Sequence, residues 1–175
     1  MRSELGRLGI PLMLAPMEAR LVAEQPVGDG WQYEPKWDGF RCLAFRGGEE
    51  VELRAKSGKS LTRFFPEVVV NLRAMPLDPF VIDGELVIEI GKVPDFNALQ
   101  MRLHPAESRI RRLASDTPAT FVAFDCLLRQ LGKPLLARPF SDRRRVLEAV
   151  AADMGEGTGL GSLPLPENCV RPNGG

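Results

Sequence analysis

The chain has 175 residues, the length of one domain or of one domain and a tail, and enough to bury a real core. Its 23 basic residues balance 23 acidic ones, so no global positive field announces a polyanionic partner, and net charge decides nothing about function. The cysteines Cys42, Cys126 and Cys169 are odd in number and widely spaced, which excludes a disulfide framework and a CxxC metal site; they read as reduced thiols of a cytoplasmic protein.

Pro11, Pro16 and Glu18 interrupt the first apolar stretch, MRSELGRLGIPLMLAPMEARL, so neither a signal peptide nor a membrane span is expected there. Residues 31–55 carry two strand-like stretches, WQYEPKWDGFRCLAFR and EEVELRA, around Gly47-Gly48, which predicts a hairpin with Lys36 at a sheet edge. Ser57-Gly58 reads as a turn, and Pro66 suits the first turn of a short helix. FVIDGELVIEI, residues 80–90, is the strongest strand signal, and it places Asp83, Gly84 and Glu85 in the middle of a buried strand.

PDFNALQMRL and PAESRIRRLA, residues 94–103 and 105–114, read as two short helices broken at His104-Pro105. ATFVAFDCLL, residues 119–128, predicts another buried strand. Ser141 is expected to cap a helix, SDRRRVLEAVAAD, with Asp142 in its first turn. Nine of the 21 residues from Gly155 to Gly175 are Gly or Pro, so that tail is expected to be poorly ordered. Strands mixed with helices, with a hairpin early, predict an α+β domain on antiparallel sheet rather than regular βαβ alternation.

Only five of the basic residues are lysines, and Lys36 stands among Tyr33, Trp37 and Phe40. A lysine amine attacks phosphorus only when unprotonated, which requires partial burial or a cationic neighbour. A lysine at a strand end is ordinarily a snorkelling surface residue, so Lys36 alone does not carry a function.

The pattern Glu-x-Lys-x-Asp-Gly-x-Arg, at Glu34, Lys36, Asp38, Gly39 and Arg41, resembles the nucleotidyltransferase motif of ATP-dependent DNA ligases, RNA ligases and mRNA capping enzymes. LRAKSGKSLTRFFPEV, residues 53–68, is similar to the second ligase segment, with Lys56 where arginine is commoner; the charge is kept and the two-pronged fork is lost. VIDGELVI looks like the third motif and FVAFDCLL the next, while LLARPFSDRRRVLEAV resembles the turn and helix that follow. DFNALQMRLHP and RIRRL look closest to the bacterial ligase C and ligase D type.

The resemblance implies an incomplete DNA ligase adenylation fold, antiparallel and ATP-grasp-like, over residues 1–153, with 154–175 as a tail. It implies lysyl-AMP formation from ATP with magnesium, then AMP transfer to a DNA 5′-phosphate and sealing of nicked double-stranded DNA in repair or recombination. Lys36 would be the nucleophile, and Glu34, Arg41, Lys56, Glu85 and Phe124 would contact the nucleotide. Phe124 would be the adenine platform, and Glu85 would also support the metal. Arg143, Arg144 and Arg145 are expected on a solvated helix face, and His104 at a helix boundary without a metal role.

The family's later Glu-Gly-[Leu/Val]-[Val/Met]-x-Lys motif, its lysine pair and its OB-fold domain do not occur after Val150. A separate chain supplying them is an expected partner. Two alternatives stay open: a catalytically silent nucleotide-binding or partner-docking fragment, and an RNA ligase or capping-type nucleotidyltransferase.

Overall fold

The computed structural model describes residues 3–18, 21–28, 31, 34 and 36–153. The tail proposed for 154–175 lies outside them, as does Cys169. Its centre is a four-stranded sheet in the order β2-β1-β3-β6, with β1 at Phe40–Gly47, β2 at Glu50–Ala55, β3 at Phe80–Val87 and β6 at Thr120–Leu128. Every neighbouring pair is antiparallel, as the early hairpin and the lack of βαβ alternation predicted.

Alternation along the strands gives the sheet two apolar faces. Cys42 and Ala44 of β1, Leu53 of β2 and Ile82 and Leu86 of β3 form one core with the helices α1 (Pro66–Ala74) and α2 (Phe96–Arg102). Leu43 and Phe45 of β1, with Val81 and Leu127, form the other core under Leu5, Leu8 and Ile10 of the N-terminal segment. Arg46 fastens the first layer: it is buried, and its Nη1 donates to the carbonyls of Leu77 and Leu72 at 2.9 and 3.1 Å, where α1 runs out of backbone donors. Among the described residues no helix is long and apolar enough to cross a membrane.

Several element boundaries differ from the sequence reading. Among the described residues of the strand-like stretch 31–46, only those from Phe40 onward pair, so Lys36 precedes β1 in irregular chain rather than lying on a sheet edge. The apolar run 80–90 is not one strand: it stops at Val87, and Glu89–Ile90 (β4) pairs with Val93–Pro94 (β5) in a separate two-residue ladder. Pro94 therefore belongs to that hairpin, and Asp95 caps α2 by accepting from the Ala98 N–H at 3.0 Å. The next helix, α3, occupies Glu107–Asp116 rather than 105–114, and His104 stands at the boundary, its Nδ1 accepting from the Ala106 N–H. The last helix, α4, covers Phe140–Asp153 and starts one residue before Ser141; the N–H groups of Asp142 and Arg143 bond the Pro139 carbonyl.

Candidate functional site

Two glycines decide how closely the site's elements approach. A Cβ on Gly39 would lie 2.3 Å from the Leu86 carbonyl oxygen and 2.7 Å from Glu85 Cγ, so only glycine lets the chain after Lys36 rest on β3. A Cβ on Gly84 would lie 2.4 Å from the Val122 carbonyl oxygen, which keeps β3 and β6 in contact beside Glu85. Both glycines belong to the motifs singled out in the sequence, and both serve backbone approach.

The strands then aim the polar side chains. Arg41, Asp83 and Glu85 occupy odd positions of β1 and β3, on the face away from the α1 and α2 core, and Arg41 pairs with Glu85 in register. In β6 the register slips between Asp83↔Asp125 and Gly84↔Ala123, leaving Phe124 as the extra, bulged residue. The bulge turns Phe124 out of the core series to which Ala123 and Cys126 belong.

The result is a cavity of about 450 Å³ lined by Glu34, Lys36, Arg41, Lys56, Glu85 and Phe124, together with Pro16, Met17, Glu18 and Trp37. All six residues nominated from the sequence line this one cavity, although they come from four separate stretches of chain. Lys36 is exposed. The sequence did not point to the N-terminal strap: Arg41 Nη2 donates to the Met17 carbonyl at 3.2 Å, and Glu18 pairs with Lys56 Nζ at 3.0 Å. That second pair is more than half exposed on both sides and contributes little to stability.

Arg41 is held by a two-pronged bond to Asp83, Nε to Oδ1 at 2.7 Å and Nη2 to Oδ2 at 2.8 Å, and its guanidinium lies 4.2 Å from the Phe124 ring centroid. Burial lifts the Asp83 carboxyl from its ordinary value, against the pull of that fork. Trp37 has its indole N–H buried without an acceptor among the described residues, a donor that an oxygen or nitrogen of a bound molecule would satisfy. Burial pushes the thiols of Cys42 and Cys126 up, the latter to about 12, so neither is a nucleophile at neutral pH.

The arginine run of α4 departs from the solvated-face expectation. Arg143 is buried and grips Asp125, with Nε 2.9 Å from Oδ1 and Nη2 2.9 Å from Oδ2. Arg144 is 5% exposed; its Nη1 donates to Glu34 at 2.9 Å and its Nε to Glu148 at 3.2 Å. Arg145 alone stays on the surface, paired with Asp142 at 3.0 Å. Through Arg144, α4 sets the position of a cavity-lining carboxylate 110 residues earlier in the chain.

Burial pushes the half-buried Glu85 carboxyl up to about 7; Arg41 and the Gly39 N–H oppose this, and Asp83 and Asp38 add to it. A carboxyl whose folded value lies above the ordinary 4.5 binds its proton more tightly when folded, so this group costs stability as pH rises from about 4.5 through 7. Glu85→Gln is therefore expected to melt above the wild-type protein at pH 8, with the gap closing by pH 5. Thermal melts at both pH values check this, and a gap that widens on acidification contradicts it.

Residues 13–157 match the family described as ATP dependent DNA ligase domain, and the chain belongs to that family. Over 143 residues it is 48% identical to DNA ligase C2 of Mycolicibacterium smegmatis, a match covering 81% of this chain and 39% of that protein. The crystal structure of the ligase domain from M. tuberculosis LigD superposes with a TM-score of 0.59 at 32% identity, over 78% of this chain and 40% of that one. Mycobacterial DNA ligase D complexed with ATP and MES superposes with a TM-score of 0.57, also at 32% identity. The chain thus spans about two fifths of the length of these relatives.

Proposed function

We propose that this chain forms the nucleotide-charging part of an ATP-dependent DNA ligase, with Lys36 as the residue that becomes adenylylated. The observation that carries the reading is the single cavity that gathers Lys36, Glu34, Arg41, Lys56, Glu85 and Phe124. Its contents suit a nucleoside triphosphate: an exposed amine, two further cations, an aromatic face and an unused indole donor.

In the first step the unprotonated Lys36 Nζ attacks the α-phosphorus of ATP. An N–P bond forms, the bond from that phosphorus to the bridging oxygen breaks, pyrophosphate leaves and the amine proton passes to solvent. Arg41, fixed by Asp83, and Lys56 present positive charge to the phosphate or ribose oxygens. Phe124 offers a face for adenine, and Glu34, fixed by Arg144, bounds the cavity near the nucleophile. In the later steps a DNA 5′-phosphate oxygen displaces Lys36 to give the DNA adenylate, and a 3′-hydroxyl then attacks the 5′-phosphorus and expels AMP, which seals the nick.

Magnesium, when bound, neutralises phosphate charge as the pyrophosphate departs. The residues present fit it: magnesium is ordinarily held by one or two carboxylates together with substrate phosphates, and Glu85 is a cavity-lining carboxylate whose burial disfavours its charge more than Arg41 favours it. No group of three metal-binding side chains occurs among the described residues. Adenylation is the step assigned to these residues by themselves. Transfer to nicked duplex DNA and sealing are proposed for these residues working together with an OB-fold segment.

Incubation with α-labelled ATP and magnesium tests the reading. Covalent label is expected on the wild-type protein and none on Lys36→Ala. Protection against melting by ATP without any label would instead establish a silent nucleotide-binding module.

A further inference from the structure

Two consecutive residues of the N-terminal strap each place an oxygen on a cation of the nucleotide cavity. The Met17 carbonyl accepts from Arg41 Nη2 at 3.2 Å, and the Glu18 carboxylate pairs with Lys56 Nζ at 3.0 Å. Both cations and both strap residues line that cavity. Arg41 lies on β1 and Lys56 in the turn after β2, where the Lys56 N–H bonds the Arg41 carbonyl at 3.3 Å, so the two cations are neighbours. The strap thus bridges them with two oxygens, as a bound phosphate group would.

The strap is anchored only on the near side of these contacts. Leu12 and Leu14 pack against the core under the N-terminal segment, the Leu14 N–H bonds the Pro11 carbonyl at 3.0 Å, and Pro16 is buried. Met13 rests on the turn that carries Lys56: a Cβ on Gly58 would come within 2.5 Å of its Cε. Met17 and Glu18, by contrast, are exposed. The two residues that meet the cations can therefore leave without unpacking a core.

The strengths of the contacts point the same way. Arg41 keeps its fork to buried Asp83 with or without Met17, and Glu34 is held by buried Arg144. Glu18 and Lys56 are 65% and 57% exposed, so their attraction is weak and screened by salt. Of the three cavity carboxylates Glu18, Glu34 and Glu85, Glu18 is the one a polyanion displaces at least cost.

We propose that Met17 and Glu18 form an autoinhibitory latch, whose oxygens take the places of nucleotide phosphate oxygens on Arg41 and Lys56 until a nucleotide displaces them. The proposal rests on the reading of this cavity as a nucleotide site, and it gives the strap a role of its own in that site. A latch raises the apparent dissociation constant by the inverse of the fraction of molecules in which it is open. For an exposed ion pair that factor is about two to five.

The test is calorimetric titration of the full chain with ATP in EDTA, so that binding is read without phosphoryl transfer. Wild type is compared with Glu18→Gln, Lys56→Gln, the double variant, and Glu107→Gln, which removes an exposed carboxylate paired with Arg111 on α3. Glu18→Gln is expected to bind ATP about two- to fivefold more tightly at low salt, the gain falling below about 1.5-fold at about 0.5 M salt. In the Lys56→Gln background the same substitution is expected to change nothing, because Lys56 is the cation that the carboxylate blocks. Glu107→Gln is expected to bind as wild type does. Equal or weaker binding by Glu18→Gln, an undiminished gain in the Lys56→Gln background, or a matching gain in Glu107→Gln each overturns the latch. So does the absence of ATP binding by both wild type and Glu18→Gln. ATP binding without the gain removes the latch and leaves the nucleotide site standing. The gain without covalent label in magnesium keeps the latch and removes the adenylation step.

Discussion

Gly39→Ala is expected to lower the rate of Lys36 labelling by about 100-fold, the loss that follows when a reacting group is misplaced by about an ångström. The added methyl would meet the Leu86 carbonyl oxygen at 2.3 Å, a contact that no rotamer change relieves because the obstacle is backbone. Either β3 moves, taking Glu85 with it, or the segment from Lys36 to Arg41 lifts off the strand. Both outcomes break the arrangement of nucleophile, carboxylate and Arg41 fork. Overpacking of this kind costs about 1–3 kcal/mol of stability, so the variant should still fold. Labelling rates of variant and wild type, measured well below the variant's melting temperature, check the expectation; a rate within a factor of two of wild type contradicts it.

The largest stability effect is expected from Asp125→Ala. Asp125 and Arg143 are both buried, and the carboxylate takes both prongs of the guanidinium. Removing one partner leaves an uncompensated buried charge, at a cost of about 3–5 kcal/mol. For a chain of this size that lowers the melting temperature by roughly 10 °C. Asp125→Asn keeps one acceptor for the guanidinium and should lose less. The same substitution loosens α4, and with it the hold of Arg144 on Glu34, so nucleotide affinity should fall alongside stability. Melting curves for the two variants give the ranking, and an alanine variant as stable as wild type refutes the account of α4.

How much of this was legible in the sequence depends on the range of the interactions. Lys36, Asp38 and Gly39 are close enough in sequence to form a pattern, and Glu85 stands in an apolar run whose alternation sets its face. Phe124 was harder. By periodicity alone it belongs with a strand's core residues, and a one-residue register slip against β3 is what places it in the cavity. Pairing partners, and therefore bulges, are not encoded in one strand's own pattern.

The arginines of α4 show the limit more sharply. Three consecutive arginines on a helix read as a solvated face, and nothing local reveals that the carboxylates able to bury two of them are Asp125 and Glu34, 18 and 110 residues away. Pro16, Met17 and Glu18 carried no signal either, because an irregular strap has no period to read. The strand boundary at Phe40 has a related reason: aromatic residues favour strands, but the described residues among 31–39 have no partner strand, and propensity without a ladder leaves them irregular.

The central claim is that the Lys36 amine is the nucleophile that bonds to the α-phosphorus. Its most direct test is peptide mapping by mass spectrometry after incubation of the purified chain with ATP and magnesium. The account predicts AMP on the peptide containing Lys36, released by added pyrophosphate because the step is reversible, and absent from Lys36→Ala. AMP found on another residue, or on Lys36→Ala as abundantly as on the wild-type protein, would contradict it.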